Sequence, residues 1–344
     1  MPIIPNLPIA EELRRRGIRP NRRLGQNFMV DRQMLDFLAR TAGLVASDIV
    51  LEVGTGAGFL TERLCQDAGW VISVEIDAGL YELARERLEP FGNLTLIHGD
   101  ALAGGDDWSE AVSEAISHAS SQRPAPSRTG GGAVSDASKV SQNAPHKASP
   151  ARSQDAPKGG TPSTGRSVDG AKIVANLPYC VATAVVQAAL GSVPPFSGVW
   201  VTCQHEVAQR LTATPGQEEY GFISVLVALF AQVRIVRKLP PTVFWPRPKV
   251  ESAIVEILPI LDGKWQPSEM QTFRRVISQL FTQRRRQLSA VLRGLDLDAG
   301  VILQVRETLD KAGIPLEERV FRLSAPVLLE VSRAFPPGFG SQKD

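Results

Sequence analysis

The sequence predicts an α/β fold, a Rossmann-like doubly wound parallel sheet, followed by a small all-helical C-terminal domain. Three observations carry that prediction. Short apolar runs alternate with amphipathic stretches between residues 49 and 98, in the order β-α-β-α-β. The first run, Ile49 to Val53, opens into the turn Gly54-Thr55-Gly56-Ala57-Gly58, where glycine permits positive φ and close approach of a ligand to the backbone. Beyond residue 262 apolar residues recur only at helical spacing.

Taken in order, residues 22–44 read as a lead-in loop and a helix, with Asp31 as N-cap and Met34, Leu35, Leu38 and Ala42 on one face. After the strand at 49–53 comes a helix over Phe59 to Asp67, with Leu60 and Leu64 on its inner face. A strand over Trp70 to Ile76, a helix over Leu80 to Leu88 and a strand over Leu94 to His98 complete the alternation. Core-building residues then stop: between Ser117 and Lys172 there is no Leu, Ile, Met, Phe, Tyr or Trp, and Ser, Ala, Pro and Gly dominate. Such a segment cannot bury enough apolar surface to offset the entropy of ordering it, so a disordered insertion is expected at about 117–171.

Folding resumes at Ala171. Strands are expected at Gly198 to Cys203 and Gln232 to Arg237, with helices at Glu206 to Thr212 and Gly221 to Ala231 between them. Pro240, Pro241, Pro246 and Pro248 stiffen a loop before a last β-rich run at Ser252 to Leu258. The domain boundary is placed between 262 and 263. In the tail, Ser268 with Gln271 forms the pattern of a capping box ahead of Phe273, Val276, Ile277, Leu280 and Phe281. Asp298 caps a second helix that ends at Gly313, and Ser324 with Pro326 opens a third.

Composition narrows the function classes. The 344 residues are 43% hydrophobic and 22% charged, ordinary for a soluble globular protein. Net charge is only +2, but the basic residues are unevenly placed. Arg14, Arg15, Arg16, Arg19, Arg22 and Arg23 crowd one segment, and Arg274, Arg275, Arg284, Arg285, Arg286 and Arg293 another. Such clusters build either a phosphate-binding surface or solvated helix faces. The three cysteines, Cys65, Cys180 and Cys203, form no disulfide framework and no zinc-ligand spacing, and the four histidines show no metal spacing. No apolar run reaches membrane-spanning length, and the Pro-rich start does not read as a signal peptide. A cytoplasmic protein without a metal, and a monomer, is the expectation.

Two motifs carry the chemistry. In the first, Glu52-x-Gly54-x-Gly56-x-Gly58 sits at a strand-to-helix turn, and Glu75 ends the second strand. An acid there accepts both ribose hydroxyls of an adenosine, whether the ligand is a nicotinamide dinucleotide or S-adenosylmethionine. Asp100, after the third strand, can accept from an adenine amino group. The second motif is Asn176-Leu177-Pro178-Tyr179, directly after the apolar run Ile173-Val174-Ala175. An adenine amino nitrogen is a poor nucleophile because its lone pair is delocalised into the ring. The Asn176 side-chain oxygen and the Pro178 carbonyl can accept its two N–H groups, favour a pyramidal nitrogen and aim its lone pair at a methyl sulfonium. Tyr179 offers a ring on which the base stacks. This is positioning rather than covalent chemistry, and a paired adenine would have to leave its helix to reach it. The pair of motifs favours methyl transfer from S-adenosylmethionine to an exocyclic nitrogen.

At this point the chain resembles the KsgA-type small-subunit ribosomal RNA adenine dimethyltransferases, which are similar to the Erm methyltransferases. The resemblance runs from about Arg22 to Leu258 apart from the insertion, and more weakly through the tail. Arg22-Arg23-Leu24-Gly25-Gln26-Asn27-Phe28-Met29-Val30-Asp31 looks like the family's N-terminal motif, and Phe244-Trp245-Pro246-Arg247-Pro248-Lys249-Val250-Glu251-Ser252 like its downstream motif. Tyr220-Gly221 and Gln283-Arg284-Arg285-Arg286 also fit. Cys180 stands where the family commonly has Asn, and Met29 where Leu is usual.

The resemblance implies S-adenosylmethionine contacts from Asn27, Met29, Gly54, Gly56, Glu75, Asp100 and Asn176. It gives Asn176, Leu177, Pro178, Tyr179 and Phe244 to the target base, unless Phe244 is simply core. RNA contacts would come from Arg22, Arg23, Arg284, Arg285 and Arg286. The implied activity is dimethylation of N6 on two adjacent adenosines near the 3′ end of 16S ribosomal RNA, within the small subunit or its precursor. An Erm-like enzyme acting on large-subunit RNA and a non-catalytic nucleic-acid-binding relative are the alternatives.

Overall fold

The computed structural model describes residues 9–104, 107–122, 170–192, 196–260 and 267–340. In chain order the elements are α1 (Ile9–Arg15), β1 (Phe28–Met29), α2 (Arg32–Thr41), β2 (Ile49–Val53), α3 (Phe59–Asp67), β3 (Trp70–Glu75), α4 (Ala78–Leu88), β4 (Leu94–His98) and α5 (Glu110–Ser121). They continue with β5 (Lys172–Asn176), α6 (Ala182–Gly191), β6 (Gly198–Gln204), α7 (His205–Thr212), α8 (Phe222–Phe230), β7 (Ala231–Leu239), β8 (Phe244–Trp245) and β9 (Ser252–Pro259). The tail holds α9 (Pro267–Thr282), α10 (Leu288–Arg293), α11 (Ala299–Lys311) and α12 (Ala325–Arg333).

Seven strands form one sheet in the order β4-β3-β2-β5-β6-β9-β7. Strands β2 to β6 are parallel, as the β-α-β alternation requires, while β9 runs antiparallel to both β6 and β7. Chain order reverses between β2 and β5, which places a crevice at the carboxyl ends of those strands. The central strands are buried on both faces, so they read as continuous apolar runs such as Ile49–Val53. Helices α1 to α4 pack on one face through Leu13, Leu38, Leu60 and Leu83, against Val50, Val174 and Trp200. The other face carries α5 to α8 against Leu51, Ile173 and Val201.

The tail helices join that second layer. Phe273, Val276, Ile277 and Leu280 of α9 share one apolar cluster with Ile223 and Phe230 of α8. Phe273 meets Phe230 edge to face at 6.2 Å, and the Tyr220 hydroxyl donates to the Leu323 carbonyl at 3.1 Å. A small two-stranded sheet pairs Met29 with Phe244 and Phe28 with Trp245, so the N-terminal motif and the proline-rich motif meet over the main sheet.

Most expected elements stand within a residue or two of their places, and the differences have causes. Asp31 caps α2 as expected, accepting from Gln33 and Met34 N–H. Helix α4 begins at Ala78 because Asp77 caps it, accepting from Gly79 and Leu80 N–H. Helix α9 begins at Pro267, so Ser268 lies inside its first turn rather than at a cap; proline is pre-organised for the first helical position. Asp298 and Ser324 occupy the N-cap positions of α11 and α12, with no side-chain hydrogen bond to the helix.

Helices α1, α5, α6 and α10 were not foreseen. Helix α5 extends to Ser121 with Ala119 in the core, so the start of the expected insertion is helical. The rest of that expectation, residues 123–169, and the proposed boundary at 262–263 lie outside the described residues.

Candidate active site

Four strand ends converge on the crevice. After β2 the chain turns through Gly54, Gly56 and Gly58, whose φ angles of 86°, 59° and 81° are left-handed and favour glycine. Space adds to that requirement. A Cβ on Gly54 would stand 3.1 Å from Pro178 Cδ, and one on Gly56 would stand 3.4 Å from the Phe28 ring. The turn is therefore pressed between the tetrapeptide on one side and the N-terminal motif on the other.

Glu75 ends β3 with only 4% of its surface exposed. Its Oε2 accepts from Gly56 N–H at 2.7 Å and its Oε1 from Asp77 N–H at 2.9 Å. The carboxylate thus fixes the glycine turn and keeps one further lone pair on each oxygen. Burial raises its pKa above the ordinary carboxylate value, opposed by the Asp77 and Gly56 N–H groups. Asp100 follows β4, is exposed, and accepts from Leu102 N–H at 3.0 Å through Oδ1.

Asn176 ends β5. Its Nδ2 donates to the Asn27 carbonyl at 3.1 Å, and its Oδ1 accepts from the Thr202 hydroxyl. Pro178 follows at the lip, and its carbonyl accepts from Val181 N–H at 3.1 Å, closing a turn that leads into α6. Leu177 is buried at 2% exposure and anchors the tetrapeptide in the core. The Tyr179 hydroxyl is 2.6 Å from Ser252 Oγ, which steadies its half-buried ring.

Gly54, Gly56, Glu75, Asp100, Asn176 and Pro178, with Asn27 and the buried Met29, line a solvent-open cleft. Glu52, Glu75 and Asp100 line it, and among the described residues no Lys or Arg does. The acids Glu75 and Asp100 give the cleft a lining that suits a cationic sulfonium. That lining, with the glycine cradle, fits S-adenosylmethionine.

Other predicted residues stand further off. Phe244 is 3% exposed and packed in the core opposite Met29, so its ring offers no open face here. Arg22 opens a short 3-10 turn at the start of the N-terminal motif, and Arg23 is exposed beside it. The Arg284–Arg286 run follows α9 instead of ending it, because the helix stops at Thr282. Arg284 is half-buried and donates to the Tyr220 carbonyl at 2.7 Å. Arg285 pairs with Glu218 at the surface at 2.6 Å, and Arg286 is exposed.

Four residues have roles in the site that the sequence did not assign. Ile76 lines the cleft directly after Glu75 at 47% exposure, an apolar surface where an adenine can lie. Glu52 is 1% exposed and accepts the Thr61 and Ser73 hydroxyls, each at 2.6 Å. Burial pushes its pKa up to about 8, against those two hydrogen bonds and with a small addition from Glu75. Thr202 and Ser252 hold Asn176 and Tyr179 from neighbouring strands. Ile76 was visible as an apolar residue after a strand-ending acid, and Glu52 and Ser252 as members of their motifs though not by these contacts; Thr202 gave no local signal.

Fold and site together define a Rossmann-like methyltransferase whose tetrapeptide faces an acid-lined cofactor cleft. The chain belongs to the ribosomal RNA adenine dimethylase family, whose profile matches residues 17–300. Ribosomal RNA small subunit methyltransferase A of Pelotomaculum thermopropionicum is 31% identical over 327 residues, covering 95% of this chain and 95% of the relative. The protein of the same name from Clostridium botulinum is 29% identical over 304 residues, covering 88% and 90%. Among solved structures, a dimethyladenosine transferase from Plasmodium falciparum superposes with a TM-score of 0.56 at 20% identity, covering 88% of this chain and 94% of that one. The 23S rRNA methyltransferase ErmE gives 0.54 at 21%, covering 89% and 98%. At those identities the two structures speak for the fold alone. No described helix is long and apolar enough to cross a membrane.

Proposed function

We propose that this chain dimethylates the N6 amino groups of two adjacent adenosines near the 3′ end of 16S ribosomal RNA, in the small ribosomal subunit or its precursor, acting as a cytoplasmic monomer. The observation that carries the reading is the oriented Asn176 amide at the lip of an acid-lined cleft. The choice of small-subunit RNA is supported by near full-length similarity to relatives named for that substrate.

S-adenosylmethionine, when bound, supplies a methyl group activated by the sulfonium. Glu75 would take the ribose hydroxyls with its remaining lone pairs, Ile76 would offer an apolar surface to the cofactor's adenine, and Asp100 would accept from that ring's amino group. Asn27, Met29, Gly54 and Gly56 close around the rest of the cofactor. The target adenine stacks on Tyr179. Its amino group donates to Asn176 Oδ1 and to the second lone pair of the Pro178 carbonyl, so the nitrogen lone pair is presented for attack. No strong base is needed, since the extra proton leaves after transfer. Phe244 joins Tyr179 only if β8 moves to uncover it. Arg22, Arg23, Arg285 and Arg286 contact RNA phosphates.

The test is to incubate the protein with labelled S-adenosylmethionine and undermethylated small subunits, then map the modified nucleotides. Dimethylation of two neighbouring adenosines near the 3′ end is expected. Modification confined to large-subunit RNA, or none with a well-folded, cofactor-binding protein, rejects the reading.

A further inference from the structure

Strand β6 reads Gly-Val-Trp-Val-Thr-Cys-Gln and is buried along almost its whole length. Thr202 is the hydroxyl residue in that run and is 0% exposed. A buried hydroxyl without a partner is unfavourable, and a valine of the same shape would avoid the cost. The hydroxyl finds its partner in Asn176, which stands in register with Thr202 across the parallel β5–β6 pair. Side chains at that register project from the same face of the sheet. The bond runs from Thr202 Oγ1 to Asn176 Oδ1.

The far end of the same amide settles its orientation. Asn176 Nδ2 donates to the Asn27 carbonyl at 3.1 Å. A main-chain carbonyl can only accept, so the NH2 must face Asn27 and the oxygen must face Thr202. A flipped amide would set two oxygens against each other at Asn27. Thr202 occupies one lone pair of Oδ1 and leaves the other toward the cleft.

We infer that Thr202 is a positioning residue for methyl transfer. It holds the Asn176 amide in the one orientation that presents an acceptor, rather than a donor, to the incoming amino group. The inference rests on the methyl-transfer reading above. Without the Thr202 hydroxyl, Asn176 is held at one end only, and its oxygen can swing away from the line between amino nitrogen and methyl group. The loss belongs in the chemical step and not in cofactor or RNA binding.

Two pairs of side chains isolate the hydroxyl: Thr against Val at constant shape, and Ser against Ala at smaller volume. Single-turnover methylation of undermethylated small subunits is measured for the parent, T202V, T202S and T202A, with calorimetric affinity for S-adenosylmethionine and melting curves for each. The rate is expected to fall on the order of tenfold from Thr to Val and from Ser to Ala, the scale of one hydrogen bond. T202S should keep most of the parental rate, and cofactor affinity should stay within about threefold across the set. Should T202V not fold, the Ser and Ala pair makes the same comparison. Equal rates within each pair, or a loss wholly accounted for by weaker cofactor binding, overturn the assignment of Thr202 alone. A parent that transfers no methyl group overturns the underlying reading, and this inference with it.

Discussion

Replacing Glu75 by Gln separates the two tasks the structure gives this carboxylate. Its oxygens already accept from Gly56 and Asp77 N–H, at 2.7 and 2.9 Å. The amide of Gln keeps one acceptor oxygen and turns the other into a donor. Whichever way it rotates, an NH2 then faces one of those two main-chain N–H groups. One charge-assisted bond to a ribose hydroxyl disappears, on the order of 1.5–3 kcal/mol. That converts to roughly 10- to 150-fold weaker binding of S-adenosylmethionine. Separately, one loop N–H is left without its acceptor, which costs about 1–3 kcal/mol of stability in the free protein. Calorimetry with S-adenosylmethionine and with S-adenosylhomocysteine reads the first effect, and denaturant unfolding without ligand reads the second. Cofactor affinity within about threefold of the parent, alongside a lowered unfolding midpoint, would falsify the ribose assignment. Glu75 would then be only the brace of the glycine turn.

The remaining expectations concern the arginine run, the insertion and a buried acid. Arg284→Ala should lower the melting temperature, because the Tyr220 carbonyl is deprived of its guanidinium donor. Neutralising Arg285 and Arg286 together should leave melting unchanged and flatten the dependence of log RNA affinity on log salt by roughly 0.7–0.9 for each phosphate no longer neutralised; an unchanged slope removes both from the RNA surface. Replacing residues 123–169 with a short Gly/Ser linker should leave melting temperature and methylation unchanged, whereas a cut beginning at Ala119 should destabilise, since Ala119 is buried. Melting curves of the two deletions decide this. Glu52→Gln should alter the pH profile of stability. The Glu52 pKa is raised from 4.5 to about 8 in the folded chain, so its contribution is full below the lower value and is lost as pH rises through the upper one. Thermal melts between about pH 5.5 and 8.5 should show the variant gaining on the parent as pH increases; parallel curves would place an ionised carboxylate at Glu52 throughout.

How far the sequence could be read depended on whether a feature is local. Strands β2 and β3 were legible because a buried parallel strand is a short apolar run, and Glu75 because it ends one. The site's ends, Gly54 to Gly58 and Asn176 to Tyr179, are likewise contiguous segments with their own turn chemistry. Helix α1 was not legible: it has only seven residues and is rich in arginine. Its place is set by Leu13 in the core and by the buried ion pair of Glu12 with Arg87, a partner far along the chain. The insertion of β9 between β6 and the edge strand β7, antiparallel to both, was equally out of reach, since strand direction there depends on which neighbour the chain chooses and not on composition.

The same distinction explains what the motif reading of the tetrapeptide lacked. Asn176 was identifiable from its neighbours, but an asparagine amide has two unlike ends, and the motif does not say which faces the substrate. Two residues far apart in sequence supply that answer. Asn27 brings a carbonyl from the N-terminal motif and Thr202 a hydroxyl from β6. Tyr179 is steadied in the same manner by Ser252, at the start of β9. Local sequence therefore names the groups that meet the substrate, while the sheet, by setting β6 beside β5 and β9 beside β6, determines how those groups are aimed. The order β5-β6-β9 makes a testable claim about design. Substitutions of Thr202, which lies in no motif, and of Ser252, which closes the proline-rich one, should act on the rate of transfer through the residues they hold.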